Sequence, residues 1–278
     1  MTGLSAHPAS TLADRALAML ADGPAEAAVL ARDVMGLAAA PPAVAARLAV
    51  ALLGADPRVR QLADGRWALA SAAQGSPLLS RCTFAVVDVE TTGMRAAAED
   101  RITDIAIVLV HGGRTELVFD SLINPGIPIS PQITALTGIT DAMVSDAPTF
   151  DMAADGILAA LAGRVFVAHN VRFDWGFVDA ELRRNRGLAL DGPRLCTVKM
   201  SRRLISGLTS HALDHVTAHF NLDNGARHRA AGDALVTAEI LRRLLALAAE
   251  RGAETMEDLE HLLARGRRGA REPGSQTP

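Results

Sequence analysis

Three short segments carry the side chains best suited to chemistry. In Phe84-Ala85-Val86-Val87-Asp88-Val89-Glu90-Thr91-Thr92-Gly93 two acids lie two residues apart at the end of an apolar, β-branched run. Strand side chains alternate with period two, so Asp88 and Glu90 point to the same face. Carboxylates placed side by side repel unless a cation lies between them, and hard oxygen ligands of this kind select Mg²⁺ or Mn²⁺ over zinc. Taken alone, the pair fits equally an exposed strand end with two solvated acids. In Val167-Ala168-His169-Asn170-Val171-Arg172-Phe173-Asp174 a short strand delivers Asp174 to the start of a helix, where the helix dipole by itself favours an acid. The third segment, Arg227-His228-Arg229-Ala230-Ala231-Gly232-Asp233, sets a histidine ahead of an acid. In one continuous helix that spacing would turn the two side chains roughly 140° apart. They converge only with His228 in the preceding loop and Asp233 in the first helical turn, which the Asn224-Gly225 break upstream permits.

Taken together and in this order, the segments resemble the DEDDh-type 3′→5′ exonuclease superfamily, in particular the proofreading epsilon subunits of bacterial replicative DNA polymerases. The resemblance covers about residues 82–250. The family's Asp-x-Glu-Thr-Thr-Gly is matched by Asp88 through Gly93, its His-Asn-x-x-Phe-Asp by His169 through Asp174, and its His-x-x-x-x-Asp by His228 and Asp233. The stretch Ile133-Thr134-Ala135-Leu136-Thr137-Gly138-Ile139-Thr140 is similar to the family's segment between the first two motifs. The resemblance implies an α/β, ribonuclease H-like exonuclease fold with a mixed central sheet flanked by helices. It also implies that Asp88, Glu90, Asp174 and Asp233 hold two Mg²⁺ or Mn²⁺ ions, with His228 as general base for the attacking water. Thr91, Thr92, Gly93, Met94, Leu136, Ile139, His169, Asn170, Phe173 and His228 would line the terminal nucleotide, with Phe173 stacking a base or merely packing and His169 supporting the site rather than binding metal. Cleavage would release nucleoside 5′-monophosphates from single-stranded DNA 3′ ends, in proofreading or repair. The same motifs serve RNA exonucleases of the oligoribonuclease or ribonuclease T kind. A reading from another class is a DNA-binding regulator with an accessory nuclease-like domain.

The elements that must position these residues follow from periodicity and punctuation. Residues 1–70 read as three helices (Leu12–Ala21, Ala25–Met35, Ala43–Leu53) and a hairpin turning at Ala63-Asp64-Gly65, an order that resembles a winged helix. Residues 71–80 read as a linker. Within 81–252 the pattern predicts strands at Thr83–Val89, Ile105–Val110, Thr115–Ser121 and Arg164–Ala168. Helices are predicted at Met152–Leu161, Asp174–Arg186, Cys196–Ile205, Ser210–Phe220 and Arg229–Arg251. Residues 253–266 hold a capped C-terminal helix, and 267–278 a disordered tail. His211, His215 and His219 would form a helix stripe, read as packing rather than a zinc site because no suitable acid partners it beyond Asp214. Arg183, Arg184 and Arg186 read as a solvated face.

Composition limits the classes that remain. The chain has 278 residues, 49% of them hydrophobic and 21% charged, so wholesale disorder is excluded. No long run of apolar residues escapes charge or proline, which argues against a membrane helix. The amino terminus lacks the charged start of a signal peptide, and two cysteines cannot build a disulfide scaffold, so a cytoplasmic protein is expected. Net charge is −3, with 24 acidic against 18 basic side chains over residues 81–264. That is not the basic footprint of a protein gripping duplex DNA by its phosphates. The third N-terminal helix offers Arg47 as its only polar side chain, too little for reading base edges, so residues 1–78 are expected to contact a protein such as a DNA polymerase catalytic subunit.

Overall fold

The computed structural model describes residues 3–8, 11–21, 23–70, 76–96, 99–223 and 228–264. A short strand β1 (Ser5–Pro8) comes first, followed by α1 (Thr11–Ala21), a single turn α2 (Ala27–Val29) running into a π-helical segment (Leu30–Val34), and α3 (Pro42–Leu53). The hairpin of β2 (Val59–Gln61) and β3 (Trp67–Leu69) closes this part around Ala16, Leu20, Leu30, Leu53 and Trp67. The hairpin turns at Gly65, whose φ of 83° is a left-handed conformation that suits glycine.

The rest of the described chain is built on a five-stranded sheet. Strands β4 (Phe84–Thr91), β5 (Ile102–His111) and β6 (Arg114–Leu122) form an antiparallel meander. Helices α4 (Pro131–Thr137), α5 (Asp141–Val144) and α6 (Phe150–Leu161) lead to β7 (Val165–Ala168), which pairs parallel to β4. Helix α7 (Val171–Arg186), the short β8 (Leu188–Asp191) and β9 (Arg194–Cys196) follow, and the sheet order is β6-β5-β4-β7-β9. Helices α8 (Thr197–Leu204), α9 (Leu213–His219), α10 (Ala230–Ala249) and α11 (Met256–Ala264) complete the chain. This mixed sheet flanked by helices is the ribonuclease H-like exonuclease fold expected from the motifs. No helix among the described residues is long and apolar enough to cross a membrane.

The sheet separates two apolar cores, and β4 feeds both by strict alternation. Ala85, Val87 and Val89 face α6 and α7, packing with Ile105, Ile107, Ile157 and Phe177. Phe84 and Val86 face the opposite side, packing with Val108, Leu241 and Leu244 of α10. Asp88 and Glu90 continue this second row, so the pleat that buries Phe84 and Val86 aims both acids at the side covered by α10.

Two features depart from the sequence expectations. The boundary at residue 70 is crossed at the start of the chain: β1 pairs antiparallel with β8, and Leu4 lies in the α6–α7 core at 3% exposure. A four-residue strand paired to a partner 180 to 186 residues away has no local signature. The histidine stripe is also broken, because His211 lies ahead of α9 and its Nδ1 is 3.0 Å from Ser201 Oγ. Only His215 and His219 share that helix.

Leu4→Ala is therefore expected to destabilise the whole protein by about 2–5 kcal/mol, the cost of emptying a packed core position. Leu12→Ala, at a position 39% exposed, should stay within about 0.5 kcal/mol. Urea unfolding of both full-length variants checks the difference, and equal midpoints would show that the first residues contribute nothing to the core.

Candidate active site

The acids converge from three elements. Asp88 and Glu90 come from the end of β4, where the ladder with β5 shifts register between Glu90 and Thr91. Such a shift re-aims the strand end, a common device beside functional sites. Asp174 stands in the first turn of α7 and is buried at 3% exposure. Asn170, just ahead of that helix, takes φ 78° and ψ 58°, a left-handed conformation that asparagine tolerates. It turns the chain from β7 into α7. Asp233 stands in the first turn of α10 at 7% exposure. Its Oδ2 accepts the backbone N–H of His228 at 3.1 Å. His228 therefore lies in the loop and Asp233 in the helix, the arrangement their spacing requires. Glu90, His228 and Asp233 each offer a ligand atom, and these lie within 4.8 Å of one another.

Burial and then mutual repulsion raise the proton affinity of Asp88, Glu90 and Asp174. Burial drives the Asp88 carboxyl well above the usual carboxylate range, and the charges of Asp174, Asp233, Glu90 and Asp104 push it further. Glu90 is raised to about 7, chiefly by burial and then by Asp233 and Asp104, with Arg229 opposing. Asp174 is raised to about 8 by burial, against the pull of its own and the Val89 backbone amides, while Glu90 adds repulsion. A set of oxygen donors that binds protons this tightly is one that a divalent cation would relieve, and four carboxylates fit Mg²⁺ or Mn²⁺ by their hardness.

The residues expected to line the nucleotide divide into two groups. Met94, 75% exposed, and Leu136, 56% exposed, offer open apolar surface. Thr92 is held to Arg101 by its own N–H donating to the Arg101 carbonyl at 2.8 Å and its Oγ1 accepting the Arg101 N–H at 2.9 Å. At Gly93 a Cβ would lie 2.5 Å from Asp100 Oδ1, so any side chain there would displace the Asp100 carboxylate. Thr91 donates its hydroxyl to the Gly93 carbonyl. Ile139 does not line the surface: it is wholly buried against Ile129 and Val144, because Gly138 ends α4 in a left-handed turn that drives the next side chain inward. Phe173 packs beside Phe177 with ring centroids 4.9 Å apart and is partly buried in the α6–α7 core. His169 is held internally, Nδ1 at 2.8 Å from Thr197 Oγ1 and Nε2 at 3.0 Å from the His211 carbonyl. Because a carbonyl only accepts, Nε2 carries a proton and Nδ1 takes the Thr197 hydroxyl. Burial lowers its pKa, which favours the neutral ring.

Two charged pairs near the site were not legible in the motifs. Arg101 donates to both carboxylate oxygens of Glu181, at 2.6 and 2.9 Å, with Glu181 buried at 1% exposure. This pair ties α7 to the chain that returns beneath Thr92. Asp104, across the ladder from Glu90, accepts from Arg229 Nε at 2.9 Å and from the Ala230 N–H at 3.3 Å. An acid inside the apolar run Ile102-Thr103-Asp104-Ile105 was the available signal, yet only the β4–β5 register shows what it faces. Arg183, Arg184 and Arg186, read as a solvated face, pair with Asp179, Glu181, Asp151 and Asp155.

With this geometry in place, comparison with known proteins is informative. The exonuclease family (RNase_T) matches residues 85–241, and the chain belongs to that family, within the DEDDh-type 3′→5′ exonuclease superfamily. It is 34% identical over 163 residues to a DNA polymerase III subunit epsilon of Aquifex aeolicus, covering 59% of this chain and 80% of that protein. It is 40% identical over 184 residues to a DNA polymerase III subunit epsilon-like protein of Rhodobacter capsulatus, covering 64% of this chain but 26% of that one. Several other curated relatives are likewise matched over less than a third of their length. Among solved structures, exonuclease X in complex with 5′-overhanging duplex DNA superposes with a TM-score of 0.52 at 28% identity, over 65% of this chain and 99% of that one.

The raised acids set a pH dependence for the metal-free protein. Their folded pKa values exceed the unfolded ones, so the native state binds more protons between about pH 4 and 8, and stability falls as pH rises across that window. In EDTA the melting temperature is expected to drop from pH 5 to pH 8, and Asp174→Asn should flatten the fall. Added Mg²⁺ should recover most of the loss at pH 8. Thermal scans at fixed ionic strength check this, and a rising profile in EDTA would contradict it.

Proposed function

We propose that the protein is a metal-dependent 3′→5′ exonuclease that removes nucleoside 5′-monophosphates one at a time from single-stranded DNA 3′ ends. The observation that carries this reading is the convergence of Glu90, His228 and Asp233 within 4.8 Å, beside Asp88 and Asp174 whose proton affinities are raised by burial and mutual repulsion. The relatives lend support: the Aquifex protein is a polymerase III epsilon subunit by name, and exonuclease X was solved on duplex DNA.

In this reading Asp88, Glu90, Asp174 and Asp233 hold two Mg²⁺ or Mn²⁺ ions. Bound there, such ions supply Lewis acidity at the scissile phosphate and lower the pKa of water. The protein's own groups do the rest. His228 takes a proton from the attacking water at a ring nitrogen, as a general base. The water oxygen bonds to phosphorus as the bond from phosphorus to the 3′ oxygen of the preceding nucleotide breaks, and that oxygen leaves as a hydroxyl, taking its proton from solvent. Thr91, Thr92 and Gly93 approach the terminal nucleotide through a loop held by Arg101, while Met94, Leu136 and Asn170 offer exposed surface around it. Residues 1–78 are assigned a protein partner, such as a polymerase catalytic subunit, to be sought by pull-down with the full chain.

Asp88→Ala and Asp233→Ala are each expected to abolish Mg²⁺-dependent hydrolysis, and Asp88→Ala should do so without lowering the melting temperature in metal-free buffer, since it relieves repulsion. Strong residual nuclease activity in either purified variant would sink the assignment. His228→Ala should lose about 10²–10⁴-fold in rate, the usual cost of removing a general base, and its residual rate should climb with pH as hydroxide replaces the base. Matched single-stranded DNA and RNA oligonucleotides, assayed in parallel, test the substrate: faster RNA degradation would replace DNA with RNA in this reading.

A further inference from the structure

Asp104 is an acid that the site would be easier to build without. It lies directly across the ladder from Glu90, on the same face of the sheet, and is fully buried. Its Oδ1 has no hydrogen-bond partner among the described residues. A fifth carboxylate beside four others adds to the repulsion already held there, and a buried charge is tolerated only where its contacts compensate.

Its other oxygen shows what compensates. Oδ2 accepts from Arg229 Nε at 2.9 Å and from the Ala230 N–H at 3.3 Å. The second contact caps the start of α10 from a neighbouring strand, where a carboxylate suits the positive end of the helix. The first holds the residue that immediately follows His228. His228 itself has φ 60°, a left-handed conformation that a non-glycine residue keeps only where its surroundings enforce it. Its N–H is anchored to Asp233 Oδ2 at 3.1 Å. His228 thus lies between two carboxylate tethers, Asp233 through its own backbone and Asp104 through its neighbour's side chain.

We propose that the Asp104–Arg229 pair is a positioning device for His228. The pair fixes the start of α10 and the turn before it, and so sets the His228 ring against Glu90 and Asp233. This inference rests on the reading of His228 as the general base. Arg229 acts through His228 and does not itself touch the reacting atoms. Its charge also opposes the rise in Glu90, but the positioning role stands on the two contacts and the forced backbone conformation.

The test is a double-mutant cycle on the full chain, with a single-stranded oligodeoxynucleotide as substrate. Arg229→Ala, Arg229→Lys and Asp104→Asn are each measured in the wild-type and His228→Ala backgrounds. Readouts are kcat, KM and the Mg²⁺ concentration for half-maximal rate. In the wild-type background Arg229→Ala is expected to lower kcat by about tenfold to 10²-fold, the scale of a misplaced catalytic group. KM should not change, and the Mg²⁺ requirement should not rise, since losing a cation beside Glu90 does not weaken the binding of another. Arg229→Lys, which keeps one donor and the charge, should recover part of the loss. In the His228→Ala background Arg229→Ala should cost nothing further, because the group it positions is gone. An equal loss in both backgrounds would overturn the positioning role while leaving His228 as the base. A His228→Ala variant with the full wild-type rate would remove the general-base reading, and the inference with it. Removing the Arg229 side chain leaves the buried Asp104 without its cation, so melting temperatures are measured beside the rates, and Arg229→Lys, which keeps the charge, carries the cycle should Arg229→Ala fail to fold.

Discussion

Four carboxylates held together against their own repulsion are the constraint from which the rest of this structure follows. Asp88, Glu90, Asp174 and Asp233 come from one strand and two helices, and none of these elements could hold the cluster alone. Two features offset the cost of assembling them. Asp174 and Asp233 each occupy the first turn of a helix, so the positive ends of α7 and α10 both point at the cluster. The apolar bulk around the site supplies the remainder, since the strands behind the acids are buried on both faces in rows of Val, Ile and Phe. What is left uncompensated appears as raised proton affinity at Asp88, Glu90 and Asp174.

The alternation of β4 explains why the site lies where it does. Its odd positions run through Val89 into the α6–α7 core, while the even positions change from Phe84 and Val86 to Asp88 and Glu90. The change marks the place where apolar packing under α10 ends and chemistry begins. A rule of folding is broken there for a functional reason, which is where such breaks are expected.

The N-terminal elements are joined to the nuclease sheet by specific contacts rather than by a bare linker. Besides β1 and Leu4, Arg58 of the turn before β2 pairs with Asp56 at 2.6 Å and reaches Asp191 of β8 at 3.3 Å. Ser76 and Pro77 bond to the start of α11, and Leu79 N–H donates to the Glu254 carbonyl at 2.8 Å. Both ends of the described chain are thereby tied to the body that carries the site.

Much of this was present in the sequence. The period-two run before Asp88 and the helix punctuation at Gly163 and Gly187 place acids at the ends of their elements, because strand alternation and helix ends are local properties, while the Asn224-Gly225 break lies outside the described residues. The hairpin at Asp64-Gly65 is local for the same reason. The contacts that depend on register were not legible. Asp104 faces Glu90 only once β4 and β5 are paired, Ile139 turns inward only against Ile129 and Val144, and His169 is engaged by Thr197 and His211 from separate elements. Strand β1 exists only because β8 is there to receive its hydrogen bonds. Sequence by itself determined which side chains are the candidates for chemistry and on which element each one rides, since those follow from spacing along the chain. Tertiary structure decided which of them meet, what holds His228 in its strained turn, and how strongly the acids repel, since those depend on distances between residues far apart in sequence.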